Sequence, residues 1–297
     1  MAPDHHPGAR VIFSRGKAHL APALPAPAGW VPARVSVISP GTELRHLAAT
    51  LTGPDRAAGY MTLTAPASGS GALLAPVPHG AATSPDDARA LRVPAGAAVE
   101  HVAVARFQLM AALGLARCQP LLDRAARVLV MGSGPVAVGC VLELHRIGVP
   151  LIRVATRHPA PAVARLPGVT VSCGALPAAE PVVIDCTGRA GQGLRAAAPG
   201  GMLGLLGTPA EDSMLPAAMT HRSGVTVVGM HELACFEQAA YQEMFLTVLA
   251  DVRAGVDAGK LRSWCRVVPG EQAPCLYQEL KGPRRPAEPF LLLDWSS

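Results

Sequence analysis

The stretch that decides the fold is VLVMGSGPVAVG, residues 128–139. It opens with a continuous apolar run, 128–131, which is typical of a strand buried on both faces of a parallel sheet. Glycines follow at 132 and 134, and residues 136–146 have helical character, ended by Gly148. A strand, a glycine turn and a helix in this order predict the first unit of a doubly wound α/β sheet.

The same alternation continues toward the C-terminus. Further short apolar runs are predicted to be parallel strands, each followed by a turn that contains glycine or threonine. The predicted strands are Leu151–Ala155, Val182–Ile184, Met202–Leu206 and Val225–Val228, and a short helix is predicted at Leu194–Ala198.

Different patterns flank this sheet. Before it lie short β-like runs separated by proline and glycine, then a helical pattern over 99–115. After it come a long amphipathic helix around 241–252, a helix over 273–280 and a last apolar strand, Phe290–Trp295, which indicate a return to the first domain. We therefore predict two domains: residues 1–115 with 256–297, and residues 116–255. The early runs are Val11–Phe13, Val35–Ile38 and Ala72–Leu74.

The glycine turn predicts a dinucleotide site, because Gly132, Gly134 and Ala137 match G-x-G-x-x-A after a strand and before a helix. Gly132 permits the tight turn, and Gly134 lets backbone N–H groups approach a pyrophosphate. The small Ala137 allows the helix and the strand to pack closely, and the helix N-terminus favours negative charge. A glycine-rich turn that holds no ligand is the alternative.

The end of the second predicted strand indicates which dinucleotide binds. An NAD-specific site would place Asp or Glu there, whereas this chain has Thr156, followed by Arg157 and His158. Thr156 lacks the carboxylate that would repel a 2′-phosphate, and Arg157 can pair with that phosphate bidentately. We expect NADP(H) rather than NAD(H). His158 either contacts the cofactor or is a surface histidine.

Composition excludes several function classes. Of 297 residues 50% are hydrophobic and 16% charged, which predicts packed domains rather than disorder. The net charge of +5 is scattered and aromatics make up 4%, so we expect no nucleic-acid binding. The longest apolar run, 128–144, is broken by glycine and proline, so we expect no membrane span. The seven cysteines form no Cys-x-x-Cys pair, and no apolar signal segment precedes them, which predicts a cytoplasmic protein.

A second polar constellation follows the run Val35–Ile38. The stretch ISPGTELRH, residues 38–46, contains the turn dipeptide Pro40-Gly41, so we predict that a strand ends there in a turn. That turn gathers a hydroxyl, a carboxylate, a guanidinium and an imidazole. It is either a solvated loop or part of a functional site. The side chains are Thr42, Glu43, Arg45 and His46.

With these motifs the chain resembles the medium-chain dehydrogenases and reductases, the superfamily of zinc alcohol dehydrogenases and of quinone and enoyl reductases. The resemblance implies an α/β fold in which a GroES-like β-barrel domain is interrupted by a Rossmann doubly wound parallel-sheet domain and completed by the C-terminal segment. The other stretches that carry it are GYM (59–61), VP (93–94), VIDCTG (183–188), GGMLGLLGTP (200–209) and HRSGVTVVGMHE (221–232).

The chain departs from the zinc-containing members at their catalytic ligands. Pro40 stands where they have a cysteine, Tyr60-Met61 where they have His-Glu, and Phe107 or Gln108 where they have a second cysteine. Proline and phenylalanine side chains cannot coordinate a metal. The four closely spaced cysteines of the structural zinc lobe are missing as well. The resemblance therefore implies a shortened, zinc-free member with no metal site.

The resemblance implies a zinc-independent, NADPH-dependent oxidoreductase that transfers hydride to a conjugated C=C, an imine or a carbonyl of a small metabolite. One alternative is a degenerate enzyme of this fold with lyase, cyclase or isomerase chemistry and a structural or recycled nucleotide. Another is a non-catalytic binding subunit. A homodimer paired through the last strand of the nucleotide-binding sheet, near Val225–Gly229, is a further expectation.

The resemblance also assigns site residues. Tyr60 is the expected proton donor, with a packed core tyrosine as the alternative, and Thr42 is expected to touch substrate or cofactor. Glu43 is expected mainly to hold the turn, while His46 and Arg45 either relay a proton, bind an acidic substrate or face solvent. The cofactor is expected to contact Gly132, Ser133, Gly134, Pro135, Val136, Thr156, Arg157, His158, Thr187, Gly188, Gly207, Thr208, Gly229, Met230 and His231; His231 with Glu232 is a further candidate pair or a packing feature.

Overall fold

The computed structural model describes residues 8–65, 71–123, 125–158, 161–210, 213–234, 236–283 and 285–296. The chain divides into two compact units. Unit 1 comprises Met1–Ala103 with Val256–Ser297, and unit 2 comprises Val104–Gly255. The division falls within the helix Val99–Ala116, and the predicted boundary after residue 115 lies near the other end of that helix.

The described residues form strands and helices that are numbered in chain order. The strands are β1 (Ala9–Ser14), β2 (Lys17–Pro22), β3 (Ala33–Ile38), β4 (Arg56–Ala57), β5 (Thr62–Thr64), β6 (Ala72–Ala75), β7 (Leu91–Val93), β8 (Arg127–Met131), β9 (Leu151–Thr156), β10 (Val169–Cys173), β11 (Glu180–Asp185), β12 (Ala197–Leu205), β13 (Thr226–Gly229), β14 (Cys265–Pro269) and β15 (Phe290–Asp294). The α-helices are α1 (Pro40–Ala49), α2 (Val99–Ala116), α3 (Gln119–Leu122), α4 (Pro135–Arg146), α5 (Ala190–Ala196), α6 (Ala217–Ser223), α7 (Gln238–Gly255), α8 (Ala258–Trp264) and α9 (Ala273–Lys281).

Unit 2 is built on a parallel sheet. Within the described residues its strands lie in the order β10-β9-β8-β11-β12-β13, and every neighbouring pair is parallel. Val128, Leu129 and Val130 of the central strand β8 are fully buried, which explains the unbroken apolar run in the sequence. The order runs outward in both directions from β8 and β11, so the predicted doubly wound α/β sheet is confirmed.

Two predictions in unit 2 need correction. The helix predicted at Leu194–Ala198 lies earlier, at Ala190–Ala196, and β12 begins at Ala197 rather than at Met202. Ala197 pairs with Glu180 of β11, so a sheet hydrogen-bond ladder overrides the helical tendency of the local alanines. Strand β10 was not predicted, because its residues are exposed or half-buried and form no continuous apolar run.

Helices α2 and α4 approach each other within backbone contact. The closest point is Gly139 of α4, where an added Cβ would overlap the backbone of Phe107 in α2. Phe107 and the neighbouring Val138 are fully buried. Glycine at 139 is therefore required by packing, independently of the two glycines of the preceding turn.

Unit 1 consists of largely antiparallel sheets. In its described part, one sheet has the order β14-β15-β3-β5-β6-β7 and a smaller one the order β2-β1-β4. Strand β15 pairs antiparallel with β3, with Leu292 opposite Val37, so the C-terminal segment completes a sheet that the N-terminal segment begins. Helix α9 packs Leu276 and Tyr277 into the apolar core beside Phe13 of β1.

The turn predicted at Pro40-Gly41 is wrong, because these residues begin the ten-residue helix α1. Pro40 occupies the first helical position, where its fixed φ suits a helix and its missing N–H is not needed. The N–H of Glu43 donates to the carbonyl of Ser39 at 2.9 Å, and the Glu43 carboxylate accepts from the Ser39 N–H at 2.7 Å. The Ser39 side chain makes no capping hydrogen bond, and these two reciprocal bonds stabilise the N-terminus of the helix instead.

Helix α2 is long and apolar enough, by length and composition, to cross a membrane, and no other helix in the described residues meets that test. Of its apolar window 72% is buried inside the protein. The core helix of a folded domain passes the same test, so this helix is weak evidence for a membrane span.

The α2–α4 contact predicts the effect of a small substitution. Gly139→Ala should lower the free energy of unfolding by about 1–3 kcal/mol, because the added methyl group forces two helix backbones apart. The matched control is Gly255→Ala at the end of α7, where an added Cβ meets no atom within 4 Å. Urea unfolding should find the control neutral or slightly stabilised; equal stabilities of the two variants would contradict the packing argument.

Candidate functional site

The point at which the parallel sheet reverses its winding defines the first candidate site. Strands β8 and β11 are parallel neighbours, with Met131 opposite Asp185 at their carboxyl ends. In open α/β sheets of this order, ligands bind in the crevice outside these strand ends. The segments that follow the two strands are residues 132–134 and 186–188, both of which the sequence singled out.

The glycine turn after β8 has the geometry that a phosphate-binding turn requires. Gly132 has φ +113°, which L-residues with a side chain avoid, and its N–H donates to the carbonyl of Ala155 at 2.9 Å. Gly134 precedes α4, is exposed, and has no atom within 4 Å of where a Cβ would lie. Pro135 has no N–H, but the N–H groups of Val136 and Ala137 in the first turn of α4 have no acceptor inside the helix. A pyrophosphate can therefore approach this backbone closely.

The end of β9 is tied to the glycine turn by a pair of hydroxyl groups. Thr156 Oγ1 lies 2.8 Å from Ser133 Oγ and accepts a hydrogen bond from the His158 N–H at 3.0 Å. Arg157 between them is exposed, and it has no ion pair among the residues that the structure describes. A neutral hydroxyl is thus bonded to the glycine turn, and an exposed arginine is the next residue in the chain.

The loops after β11 and β12 interlock through glycines. Asp185 Oδ1 accepts hydrogen bonds from the N–H of Thr187 at 2.7 Å and from its hydroxyl at 2.6 Å. A Cβ on Gly188 would overlap the carbonyl oxygen of Thr208, and one on Gly207 would overlap the backbone of Cys186. The structure therefore brings the predicted residues 187–188 and 207–208 into direct contact.

In the segment after β13, the side chains of the predicted pair His231 and Glu232 have different surroundings. Met230 is buried, while Gly229 and His231 are exposed. The Glu232 side chain is 12% exposed, and its carboxylate accepts two hydrogen bonds from Arg106, both at 2.7 Å, and one from the Tyr241 hydroxyl at 2.7 Å. Burial raises the pKa of Glu232, but the charge of Arg106 and these bonds hold that pKa below its ordinary value. Glu232 is thus an ionised anchor for its loop.

Arg106 also lies over the ring of Tyr241, with the guanidinium carbon 5.8 Å from the ring centroid. Sequence reasoning missed both residues as partners of Glu232. The available signal was Arg106 itself, a basic residue within the otherwise apolar segment 102–107. The structure shows Arg106 to be only 7% exposed. A charged residue at such a position requires a partner, although the sequence does not say which one.

Unit 1 contains a second buried polar cluster, centred on Glu43. His79 Nε2 lies 3.0 Å from Glu43 Oε2 and 3.0 Å from the Tyr277 hydroxyl, and that hydroxyl also donates a short hydrogen bond to Glu43. All three side chains are at most 1% exposed. Burial raises the pKa of Tyr277 well above its ordinary value, and the charge of Glu43 raises it further.

Sequence reasoning missed His79 and the role of Tyr277. His79 stands in a loop without a recognisable motif, and Tyr277 falls on the apolar face of a predicted helix. The structure adds Gly59 to this cluster, because a Cβ there would overlap the His79 ring. Glu43 contacts Ser39, His79 and Tyr277, and its role in the site stays a prediction.

The other residues predicted around the start of α1 are partly accessible. Thr42, Arg45, His46 and Tyr60 are each half-buried. Burial lowers the pKa of His46, the charges of Arg56 and Arg45 lower it further, and the charge of Glu43 opposes them. A neutral imidazole at neutral pH follows from the first three effects. The polar groups of these four side chains are a hydroxyl, a guanidinium, an imidazole and a phenol.

The sequence resemblance aligns Met61 and Phe107 or Gln108 with zinc-ligand positions, and the structure shows what surrounds these side chains. Met61 and Phe107 are buried apolar residues, and the Gln108 amide donates a hydrogen bond to Glu143 at 3.1 Å. Across the described residues, no group of three or more His, Cys, Asp or Glu side chains could hold a metal ion. Zinc independence remains a prediction from the sequence.

Comparison with solved structures decides the fold class. The quinone oxidoreductase of Thermus thermophilus, solved alone and with NADPH, is 18% identical with a TM-score of 0.67, over 96% of this chain and 99% of that one. An alcohol dehydrogenase from Thermus sp. ATN1 is 16% identical with a TM-score of 0.73, over 96% and 99% of the two chains. The chain has the fold of the medium-chain dehydrogenases and reductases.

A third solved structure of this fold contains a bound dinucleotide. It is a putative zinc-binding dehydrogenase from Sinorhizobium meliloti 1021 bound to NADP, 14% identical with a TM-score of 0.67 over 96% of this chain and 98% of that one. No protein-family model and no curated protein matches the chain. The structural likeness therefore confirms the predicted fold class, at identities that show the fold alone.

The Glu43 cluster predicts a pH-dependent loss of stability. Tyr277→Phe keeps the ring but removes hydrogen bonds to a buried carboxylate, so it should lower the free energy of unfolding by about 1.5–3 kcal/mol at pH 8. Because the folded state raises the pKa of Tyr277, the stabilisation is complete below the unfolded pKa of about 10 and is lost as pH rises toward the folded pKa. Urea unfolding should show the difference from wild type narrowing above pH 10; a constant difference would contradict this account.

The Glu232 cluster predicts a large effect with a specific rescue. Glu232→Gln should lower the free energy of unfolding by about 3–5 kcal/mol, because it removes the carboxylate charge that the buried Arg106 guanidinium binds through two hydrogen bonds. Adding Arg106→Met should restore part of that loss. Tyr241→Phe alone should cost about 1.5–3 kcal/mol, because it removes one hydrogen bond to the ionised carboxylate. Thermal and urea unfolding at pH 7 measure all of these variants. A double variant no more stable than Glu232→Gln would show that the charge is not the cause.

Proposed function

We propose that this chain is a zinc-independent, NADP(H)-dependent oxidoreductase that transfers hydride to a conjugated C=C, an imine or a carbonyl of a small metabolite. The observation that carries the proposal is the end of β9, where a neutral Thr156 is bonded to the glycine turn and Arg157 is exposed beside it. That arrangement suits a 2′-phosphate and lacks the carboxylate of an NAD-specific site. The solved structures of the same fold with NADPH and NADP support it.

The described residues fit such a cofactor. The open space above Gly134 and the first turn of α4 would receive the pyrophosphate, with Ser133 at its side. Arg157 would pair with the 2′-phosphate, and His158, whose backbone is held by Thr156, lies next to it in the chain. When bound, the nicotinamide of the cofactor supplies or accepts the hydride. The residues proposed around it are Thr187, Gly188, Gly207, Thr208, Gly229, Met230 and His231.

The proposed proton-transfer residues belong to unit 1. Tyr60 is proposed as the proton donor, because its phenol is half-buried and interacts electrostatically with Arg45. The positive charge of Arg45 would stabilise the phenolate that forms when the proton leaves. Thr42 and His46 would orient the substrate or relay the proton. Glu43 is fully buried and its oxygens accept bonds from Ser39 and Tyr277 and contact His79, which supports a positioning role.

Two further properties belong to the proposal. A homodimer would use β13, which is the edge strand of the unit 2 sheet in the described residues and has a free hydrogen-bonding side. A cytoplasmic location is consistent with the free cysteines among the described residues, two of which, Cys173 and Cys275, are exposed.

Nucleotide binding tests the proposal. Arg157→Ala should raise the Kd for NADPH at least about tenfold, because a bidentate charge-assisted contact is lost, while the Kd for NADH should change little. The matched control is Arg165→Ala, another exposed arginine of unit 2, which should leave both constants unchanged. Fluorescence titration of the reduced nucleotides measures them. Absence of binding of either nucleotide at millimolar concentration would refute the proposal, and equal losses would remove Arg157 from the 2′-phosphate site.

A further inference from the structure

Arg45 of helix α1 is half-buried, and no Asp or Glu in the described residues forms an ion pair with it. Its guanidinium folds back along the helix, with Nη2 4.0 Å from where a Cβ on Gly41 would lie. Burial lowers the pKa of Arg45 and is the largest effect on it, whereas the electrostatic interaction with Tyr60 raises that pKa. Partly desolvated charges are normally paired, so this one requires an explanation.

The nearest carboxylate in the helix, Glu43, is not available to Arg45. Two residues along an α-helix correspond to about 200° of rotation, so the two side chains leave α1 on opposite sides. Glu43 is fully buried, and its carboxylate already binds the Ser39 N–H, His79 and the Tyr277 hydroxyl. The negative charge of this segment is thus turned into the core, while the positive charge remains on its accessible side.

The chain brings a second arginine back to the same region. Helix α1 ends at Ala49, and a tight turn with a Gly53 N–H to Ala49 carbonyl bond of 3.0 Å leads directly into β4, which begins at Arg56. The charges of Arg56 and Arg45 both act on His46. Asp55 precedes Arg56 in the turn and forms no ion pair with either arginine in the described part of the chain.

We propose that Arg45, with His46 and Arg56, forms a subsite for an anionic group of the substrate, a carboxylate or a phosphate. A guanidinium presents paired N–H donors that match the oxygens of either group, and a partly desolvated arginine binds them more strongly than one in bulk water. The inference rests on the proposed oxidoreductase function and narrows its substrate class to acidic small metabolites. Arg45 is in this view a specificity-determining residue, with Tyr60 next to the bound anion.

The test measures the binding of two simple anions, inorganic phosphate and malonate, by isothermal titration calorimetry. All proteins carry Arg157→Ala, which removes the exposed arginine beside the glycine turn that could also bind phosphate. Arg45→Gln should weaken anion binding at least about tenfold, and Arg45→Lys should weaken it less because the charge is kept. Arg262→Gln, which removes an exposed arginine of α8, is the matched control and should bind as well as the parent.

The outcomes separate this inference from the proposed function. Anion binding that Arg45→Gln does not weaken, or no anion binding by the parent, would overturn the subsite. Failure of wild type to bind NADPH, with anion binding still dependent on Arg45, would refute the oxidoreductase proposal alone. Circular dichroism confirms that each variant is folded; should Arg45→Gln unfold, Arg56→Gln at the exposed strand β4 provides the same test, with a smaller expected loss of about threefold.

Discussion

The parallel pairing of β8 with β11 is the constraint on which unit 2 depends. It sets Met131 and Asp185 side by side at the carboxyl edge, so the chain must leave both strands at one place and on opposite faces of the sheet. Gly132 accommodates that exit with a positive φ, and the Asp185–Thr187 bonds shape the other exit. Every residue that we assign to the dinucleotide lies at this carboxyl edge or in a loop that begins there.

Much of this architecture is readable from the sequence, because continuous apolar runs and glycine turns report local requirements. The run 128–131 is apolar since both faces of β8 are covered, and Gly132 is needed for one backbone angle. Where the requirement is not local, prediction fails. Strand β10 forms by edge pairing with β9 without an apolar pattern, and Ala197 joins β12 because β11 offers it a partner.

The candidate sites show the same limit. Pro40-Gly41 has the composition of a turn, yet the reciprocal bonds between Ser39 and Glu43 make it the start of a helix. No local pattern connects Glu43 with His79 or Tyr277, which are distant in sequence, and none connects Arg106 with Glu232. Buried polar clusters depend on which elements the fold brings together, so a single sequence identifies their members only one at a time.

The Glu43 cluster also constrains the order in which the protein can form during synthesis. Residues 43 and 277 are 234 positions apart, and β15, which completes the unit 1 sheet beside β3, follows later still. Unit 2 is continuous in sequence and is fully synthesised before this segment. Contacts of such high sequence separation close late because a long loop must be ordered first. On the ribosome, unit 2 can therefore fold before Tyr277 is available to Glu43 and His79. Chaperones can bind the N-terminal segment while β3 still lacks its neighbour β15.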